Sequence, residues 1–96
     1  MKRRNELPLK EAILELLDSF HLKERVNELR LKENWEKIFG KTIAKYTQHI
    51  SVRDKKLFLN IESASLRQEL TFNKAKMLER INESIAPGFV EEIVLH

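Results

Sequence analysis

Apolar residues recur at helical spacing through the first half of the chain. One such run predicts an amphipathic helix over residues 9–21. A second predicts a helix over residues 22–39, which Gly40 interrupts before a further short helical turn up to Thr47. The apolar positions of the first helix are Leu9, Ile13, Leu16, Leu17 and Phe20. Those of the second are Val26, Leu29, Trp35, Ile38 and Phe39.

The period of the apolar pattern then changes to two, which is typical of strands. Ile50 and Val52 alternate with polar residues, and a second alternating run follows the polar turn at 54–56. Two short strands joined by a tight polar turn predict a β-hairpin. Its second strand has Leu57, Leu59 and Ile61 on one face, and Phe58 and Asn60 on the other.

A last helix and strand complete the predicted fold. Ser65 and Gln68 are spaced as a capping box, which predicts one helix from there to the Pro87-Gly88 stop signal. Residues 89–95 then predict a final strand. The order α-α-(α)-β-β-α-β favours an α+β domain over residues 9–96, with a three-stranded sheet and helices on one face. Residues 1–8 are expected to be a flexible basic arm.

The composition limits the class of protein. Ninety-six residues suffice for one domain, and the 42% hydrophobic and 34% charged residues indicate a globular chain. The sequence contains no cysteine, which rules out disulfides and thiolate chemistry and favours a reducing cytoplasm. No apolar run is long enough for a signal peptide or a membrane span, so we expect no membrane association.

Positive charge concentrates in the middle of the chain. Residues 37–56 contain six basic residues and one acidic residue, against a net charge of +3 for the whole chain. If the helix continues past Gly40, three lysines four residues apart form a stripe that could follow nucleic-acid phosphates without reading bases. An ordinary solvated surface is the alternative, since Glu33 is spaced to pair with Lys37. The candidate nucleic-acid-binding residues are Lys37, Lys41, Lys45, Tyr46, Arg53, Lys55 and Lys56.

The single tryptophan has two interpretations. An aromatic ring next to basic residues can stack on a nucleic-acid base, but Trp35 lies at core spacing with Leu31 and Ile38. The core spacing favours a packing anchor. Tyr46, beside Lys45, is the better candidate for stacking on a base.

A second apolar surface is expected on the uncovered face of the sheet. Phe58, Asn60, Val90 and Val94 point away from the predicted core rows. Such a surface is either covered by a helix end or binds a protein partner. An exposed edge strand would also allow two copies to pair as a weak homodimer.

The sequence gives little support for catalysis. His21, His49 and His96 are scattered, with no metal-ligand spacing and no nucleophile motif beside them. No glycine-rich phosphate loop is present, because the chain has two glycines far apart. We therefore expect a non-enzymatic protein that requires no metal and no cofactor.

Two segments carry a resemblance to a known family. The segment 35–47 resembles the Trp-x-x-Ile-x-Gly-x-x-Ile-Ala-x-x-Thr pattern of the DciA-like family, long described as a domain of unknown function. The run from Ser63 to Leu70 is similar to that family's serine-rich turn followed by Arg-Gln-Glu-Leu. The resemblance covers residues 9–95, nearly the whole chain.

The resemblance implies a fold related to the K-homology (KH) domain, binding to the replicative helicase DnaB, and affinity for single-stranded or fork DNA near the nucleoid. It also makes Arg67 and Gln68 candidates for partner contact, although helix capping would explain such residues locally. KH domains hold nucleic acid with a Gly-x-x-Gly loop, which this chain lacks. An RNA-binding module and a protein–protein adaptor without nucleic-acid binding remain alternatives.

Overall fold

The computed structural model describes the backbone of residues 2–96 and the side chains of residues 8–96. Within that part, four helices and three strands confirm the predicted α+β class and the three-stranded sheet. The elements are α1 (Lys2–Phe39), α2 (Lys41–Tyr46), β1 (Thr47–Arg53), β2 (Lys56–Ile61), α3 (Ala64–Thr71), α4 (Lys74–Ser84) and β3 (Glu92–Leu95).

The sheet has the order β1-β2-β3, with β1 antiparallel and β3 parallel to β2. The predicted hairpin is confirmed, with Val52 opposite Leu57 and Ile50 opposite Leu59. Its two-residue turn has left-handed backbone angles at Asp54 (φ 50°) and Lys55 (φ 63°). Positive φ at both central residues gives a turn whose twist matches that of the two strands.

The core lies between one face of the sheet and the helices, as predicted. The inward row of β2, namely Leu57, Leu59 and Ile61, has no exposed surface. Leu31 of α1 and Ile81 of α4 are equally buried and belong to the same apolar cluster. Strand alternation therefore leaves the other face of the sheet without a helical cover.

Helix α1 differs from the prediction of two separate helices. It runs unbroken for 38 residues, because neither glycine nor proline occurs between Phe20 and Lys23 to end it. Only its second half packs on the sheet, and the molecule measures 63 × 21 × 21 Å. Val26 and Leu29, predicted on the apolar side of the second helix, are 51% and 57% exposed. Their assignment to the packed side was wrong, because the side of α1 that faces the core carries Leu31, Trp35 and Ile38.

The flexible basic arm was expected at residues 1–8. The side chains of residues 1–7 lie outside the described residues, so the basic arm stays a prediction.

The single helix predicted from Ser65 is wrong in two respects. Helix α3 begins two residues earlier, with Ser63 as its N-cap, whose hydroxyl accepts a hydrogen bond from Leu66 N at 3.2 Å. The helical run also breaks at Phe72 and Asn73, before α4 begins. The Ser65–Gln68 capping box therefore does not form, since Ser65 already lies inside the first turn.

The last strand is shorter than predicted. It begins at Glu92, and Val90 lies before it with 1% of its surface exposed. The side chain of Asn82 holds both Val90 backbone groups, at 2.9 Å each. The expectation that Val90 lies on the uncovered sheet face was wrong, because this loop turns its side chain into the core.

Candidate nucleic-acid interface

A chain of hydrogen bonds fixes the position of α2. The indole Nε1–H of Trp35 donates to Thr47 Oγ1 at 3.0 Å, and the Thr47 hydroxyl donates to the Ile43 carbonyl at 2.6 Å. Trp35 is 4% exposed and its ring packs against Phe39 at 4.6 Å between centroids. The interpretation of Trp35 as a packing anchor is confirmed. Helix α2 is thereby attached to the end of α1 and to the start of β1.

Gly40 redirects the chain between α1 and α2. Its φ of 92° lies in the region that favours glycine, and α1 ends at the residue before it. The condition for a continuous stripe is therefore not met, and Lys37 lies on a different helix from Lys41 and Lys45. Lys41 and Lys45 still share one side of α2, because they are four residues apart within it.

The predicted basic residues separate into two groups along β1. Arg53, Lys55 and Lys56 lie at the hairpin turn, and Lys45 precedes the opposite end of β1. The seven residues of the strand span roughly 20 Å. Lys55 Nζ lies 3.6 Å from Glu91 and Lys56 Nζ lies 3.9 Å from Glu92. Those two carboxylates partly neutralise the hairpin group.

The lysines in and beside α2 differ from the hairpin group in their ion pairs. Among residues 8–96, the ion pairs leave out Lys37, Lys41 and Lys45. Lys45 Nζ lies 5.7 Å from the centre of the Tyr46 ring, and this ring is half-buried. Lys45 and Tyr46 thus place a cation over an aromatic ring at the end of α2.

A basic cleft between α1 and α4 was not predicted. Arg30, Lys37 and Arg80 line an open cavity of about 430 Å³ together with Asn34 and Ser84, and no carboxylate lines it. The Arg30 guanidinium donates to the Ile85 carbonyl at 3.3 Å, which ties it to the end of α4. No local sequence signal could have joined Arg30 to Arg80, because only the packing of two distant helices brings them together.

The uncovered sheet face carries three of the predicted partner-binding residues. Phe58, Asn60 and Val94 are half-buried there, and Phe58 lies beside Val94 in the β2–β3 register. Arg53 lies on the same face of β1, next to the turn. Lys56 is paired with Arg53 and shares this face with Phe58. The outer sheet face therefore combines an aromatic ring, polar groups and two cations.

Arg67 has a structural role in addition to any partner contact. Its guanidinium donates to the Ile61 carbonyl at 2.7 Å, at the end of β2. Its Nε is buried without a hydrogen-bond partner among the described residues. Gln68 is exposed on α3 and is available to a partner.

Two glutamates of α1 bind backbone donors, one on the outer edge of β1 and one in the hairpin turn. Glu28 accepts a hydrogen bond from Val52 N at 2.6 Å, and Glu24 accepts one from Lys55 N at 3.1 Å. Backbone donors that face outwards from an edge strand are the groups through which sheets of two molecules pair. Because α1 already binds these donors, pairing of two copies through β1 would have to displace it.

The described part of the chain has neither a metal-binding cluster nor a membrane-spanning helix. Residues 8–96 contain no group of three or more histidine, aspartate or glutamate side chains arranged to hold a metal ion. None of the helices described is both long enough and apolar enough to cross a bilayer.

Comparison with known proteins shows a family and a relative to which this chain is similar. The family model described as "Dna[CI] antecedent, DciA" matches residues 8–95. A protein of Corynebacterium glutamicum (strain R) named "UPF0232 protein" is 32% identical over 60 residues, which are 62% of this chain. The match spans about a third of that relative's length (34%).

Proposed function

The chain belongs to the DciA family, and on this premise we propose that it is a non-enzymatic accessory protein of DNA replication that binds the replicative helicase DnaB and holds DNA beside it. The observation that carries the proposal is the family match over residues 8–95, which takes in the whole folded body. Most of the motif residues in segments 35–47 and 63–70 pack in the core or connect its helices and strands, so they account for the fold. The binding surfaces have to be argued from exposed residues.

The basic surface around α2 and the α1–α4 cleft is the proposed DNA contact. Its members are Arg30, Lys37, Lys41, Lys45 and Arg80. Among the described residues these five cations form no ion pair and are available to phosphates, whereas Lys55 and Lys56 already face Glu91 and Glu92. Lysine and arginine side chains held over the backbone read no bases, so binding should not depend on sequence.

Fluorescence anisotropy with labelled single-stranded and forked DNA tests this proposal. With five phosphates neutralised on a single strand, log affinity should fall with log salt at a slope of roughly −3 to −4. The variant Lys41→Glu/Lys45→Glu should lose at least tenfold in affinity. The matched variant Lys55→Glu/Lys56→Glu has the same charge change and should lose less, because these lysines are already paired.

A flat salt dependence would remove the DNA contact from the proposal and leave a protein–protein adaptor. Equal losses of affinity from both charge variants would instead mean that DNA binding depends on the net charge of the protein and not on a defined surface. Competition with single-stranded RNA of the same length separates a DNA-binding protein from an RNA-binding module, because only the latter would prefer RNA.

The outer sheet face is the proposed contact with the helicase. Phe58 presents an aromatic side chain beside Val94, and aromatic anchors dominate the energy of many protein interfaces. Size-exclusion chromatography with the DnaB protein of the same organism should give a co-eluting complex at micromolar concentration. Phe58→Ser should weaken that complex at least tenfold.

The matched control is Phe72→Ser, which removes an aromatic ring that is 80% exposed at the α3–α4 junction. It should leave the complex intact. If the control weakens the complex and Phe58→Ser does not, the helicase contact lies at the α3–α4 junction, and its assignment to the outer sheet face is wrong. No complex with the unmodified chain would overturn the helicase proposal itself.

A further inference from the structure

The apolar face of α1 continues beyond the body of the protein. Leu31 and Trp35 lie on this face and are buried against the sheet, with 0% and 4% of their surface exposed. Further towards the N-terminus, the same face presents side chains that are 47% to 63% exposed. These residues, here called the α1 stripe, are Leu9, Ile13, Leu16, Leu17 and Phe20.

We propose that a second copy of this chain covers the α1 stripe, with the two α1 helices antiparallel about a two-fold axis at Leu17. A helix with an apolar stripe along one side is stable in water when another surface buries that stripe. A two-fold axis makes the contact self-complementary, so that each copy supplies and receives the same surface.

The charges beside the stripe determine the direction of pairing. Lys10, Leu17 and Glu24 are seven residues apart and therefore lie in one row along the same flank of α1. In an antiparallel pair centred on Leu17, each Lys10 faces the Glu24 of the other copy. In a parallel pair, Lys10 would face Lys10 and Glu24 would face Glu24. Opposite charges at flanking positions of paired helices select the antiparallel arrangement.

The base of the stripe has room for the end of a second helix. An open pocket of about 720 Å³ lies where α1 leaves the body, between Phe20 and the loop that carries Ala86, Pro87 and Phe89. Glu24 also lines this pocket. Antiparallel pairing brings Leu9 and Lys10 of the second α1 to this place, with Leu9 towards the apolar wall and Lys10 towards Glu24.

The area available is sufficient for a dimer. Five large side chains, each about half exposed, provide roughly 500 Å² of apolar surface per copy, or roughly 1,000 Å² for the pair. A biological interface needs about 1,000 Å² in total and a stable one about 1,200–2,000 Å², so the α1 stripe reaches the lower bound and the pocket at its base adds to it.

Cysteine cross-linking tests the proposed geometry, since the natural sequence has no cysteine. Leu17→Cys places two thiols next to each other across the axis and should form a disulfide-linked dimer under mild oxidation. Leu9→Cys is the matched control, because antiparallel pairing separates its two copies by about 24 Å along the helices. A parallel pair would cross-link at both positions.

Light scattering tests whether the pair forms without a cross-link. The unmodified chain should show twice its mass of 11.4 kDa at tens of micromolar. Leu16→Asp should raise the concentration for dimerisation at least tenfold. Leu22→Asp introduces the same change on the opposite side of α1, at a residue that is 62% exposed, and should leave the dimer unchanged.

Three results would overturn the inference. The first is a monomer at 100 µM, as an approximate upper concentration for a functional contact. The second is equal cross-linking at Leu9→Cys and Leu17→Cys. The third is a monomeric chain whose Leu16→Asp variant loses DnaB binding, which would assign the stripe to the helicase. In the last case the proposed function would stand and only the second copy would be excluded.

Discussion

At the scale of single residues, hydrogen bonds explain why the segment 35–47 has its particular composition. Trp35 and Thr47 are joined directly, and the threonine hydroxyl passes the connection on to the Ile43 carbonyl. The indole is almost fully buried, so its N–H needs an acceptor inside the protein. One hydroxyl group therefore satisfies the buried donor and holds α2 against β1.

Replacing Thr47 by valine should test that role. The substitution preserves the shape of the side chain but leaves the indole N–H without its acceptor, which should lower the free energy of unfolding by about 1–3 kcal/mol. Urea denaturation followed by Trp35 fluorescence measures the change. Thr42→Val, at an exposed position on α2, should change stability by about 0.5 kcal/mol or less. Equal effects of the two variants would mean that the hydrogen bond contributes nothing.

At the scale of elements, the alternation of apolar and polar residues predicted the hairpin best. It did not reveal the backbone strain in the hairpin turn. Lys55 has a φ of 63°, in a conformation that is unfavourable for a residue with a Cβ atom. Its backbone N–H is held by Glu24 at 3.1 Å, and its side chain pairs with Glu91. These contacts compensate for the strain and fix the turn against α1.

Replacing Lys55 by glycine should therefore stabilise the protein. Relief of the left-handed strain is expected to raise the free energy of unfolding by about 0.5–1 kcal/mol, since the exposed ion pair that is lost is worth little. Lys55→Ala is the matched control, because it removes the same ion pair and keeps the Cβ atom. Thermal denaturation of both variants measures the difference. An alanine variant as stable as the glycine variant would contradict the argument.

At the scale of the whole molecule, α1 belongs to two environments. Its second half contributes Leu31 and Trp35 to the core, and its first half extends from the body with apolar side chains exposed. The described part of the protein is consequently three times longer than it is wide, at 63 × 21 × 21 Å. The stability of the monomer should depend on one half of this helix only.

Two identical substitutions in α1 should separate these environments. Leu31→Ala removes a fully buried side chain and should cost about 2–5 kcal/mol of unfolding free energy. Leu16→Ala, at a residue that is 55% exposed, should cost about 0.5 kcal/mol or less. Chemical denaturation at submicromolar protein, where any dimer dissociates, is the measurement. A loss of several kcal/mol at Leu16 would mean that the first half of α1 packs on the body.

The amino-acid sequence by itself determined the class of the fold and its local elements. The alternation of apolar and polar residues predicted the inward row of Leu57, Leu59 and Ile61, and helical spacing predicted the burial of Trp35. Both succeed because burial of one face makes apolar residues recur at the period of the strand or helix. Only the tertiary structure decided which apolar residues are covered and which charges meet. Val26, Leu29 and the α1 stripe have the composition of a core face, yet these side chains are 47% to 63% exposed. Arg30, Lys37 and Arg80 come together through the packing of α1 on α4, and Lys55 and Lys56 meet Glu91 and Glu92 through a parallel strand pair. Such contacts join residues far apart in the chain, and no local pattern encodes them.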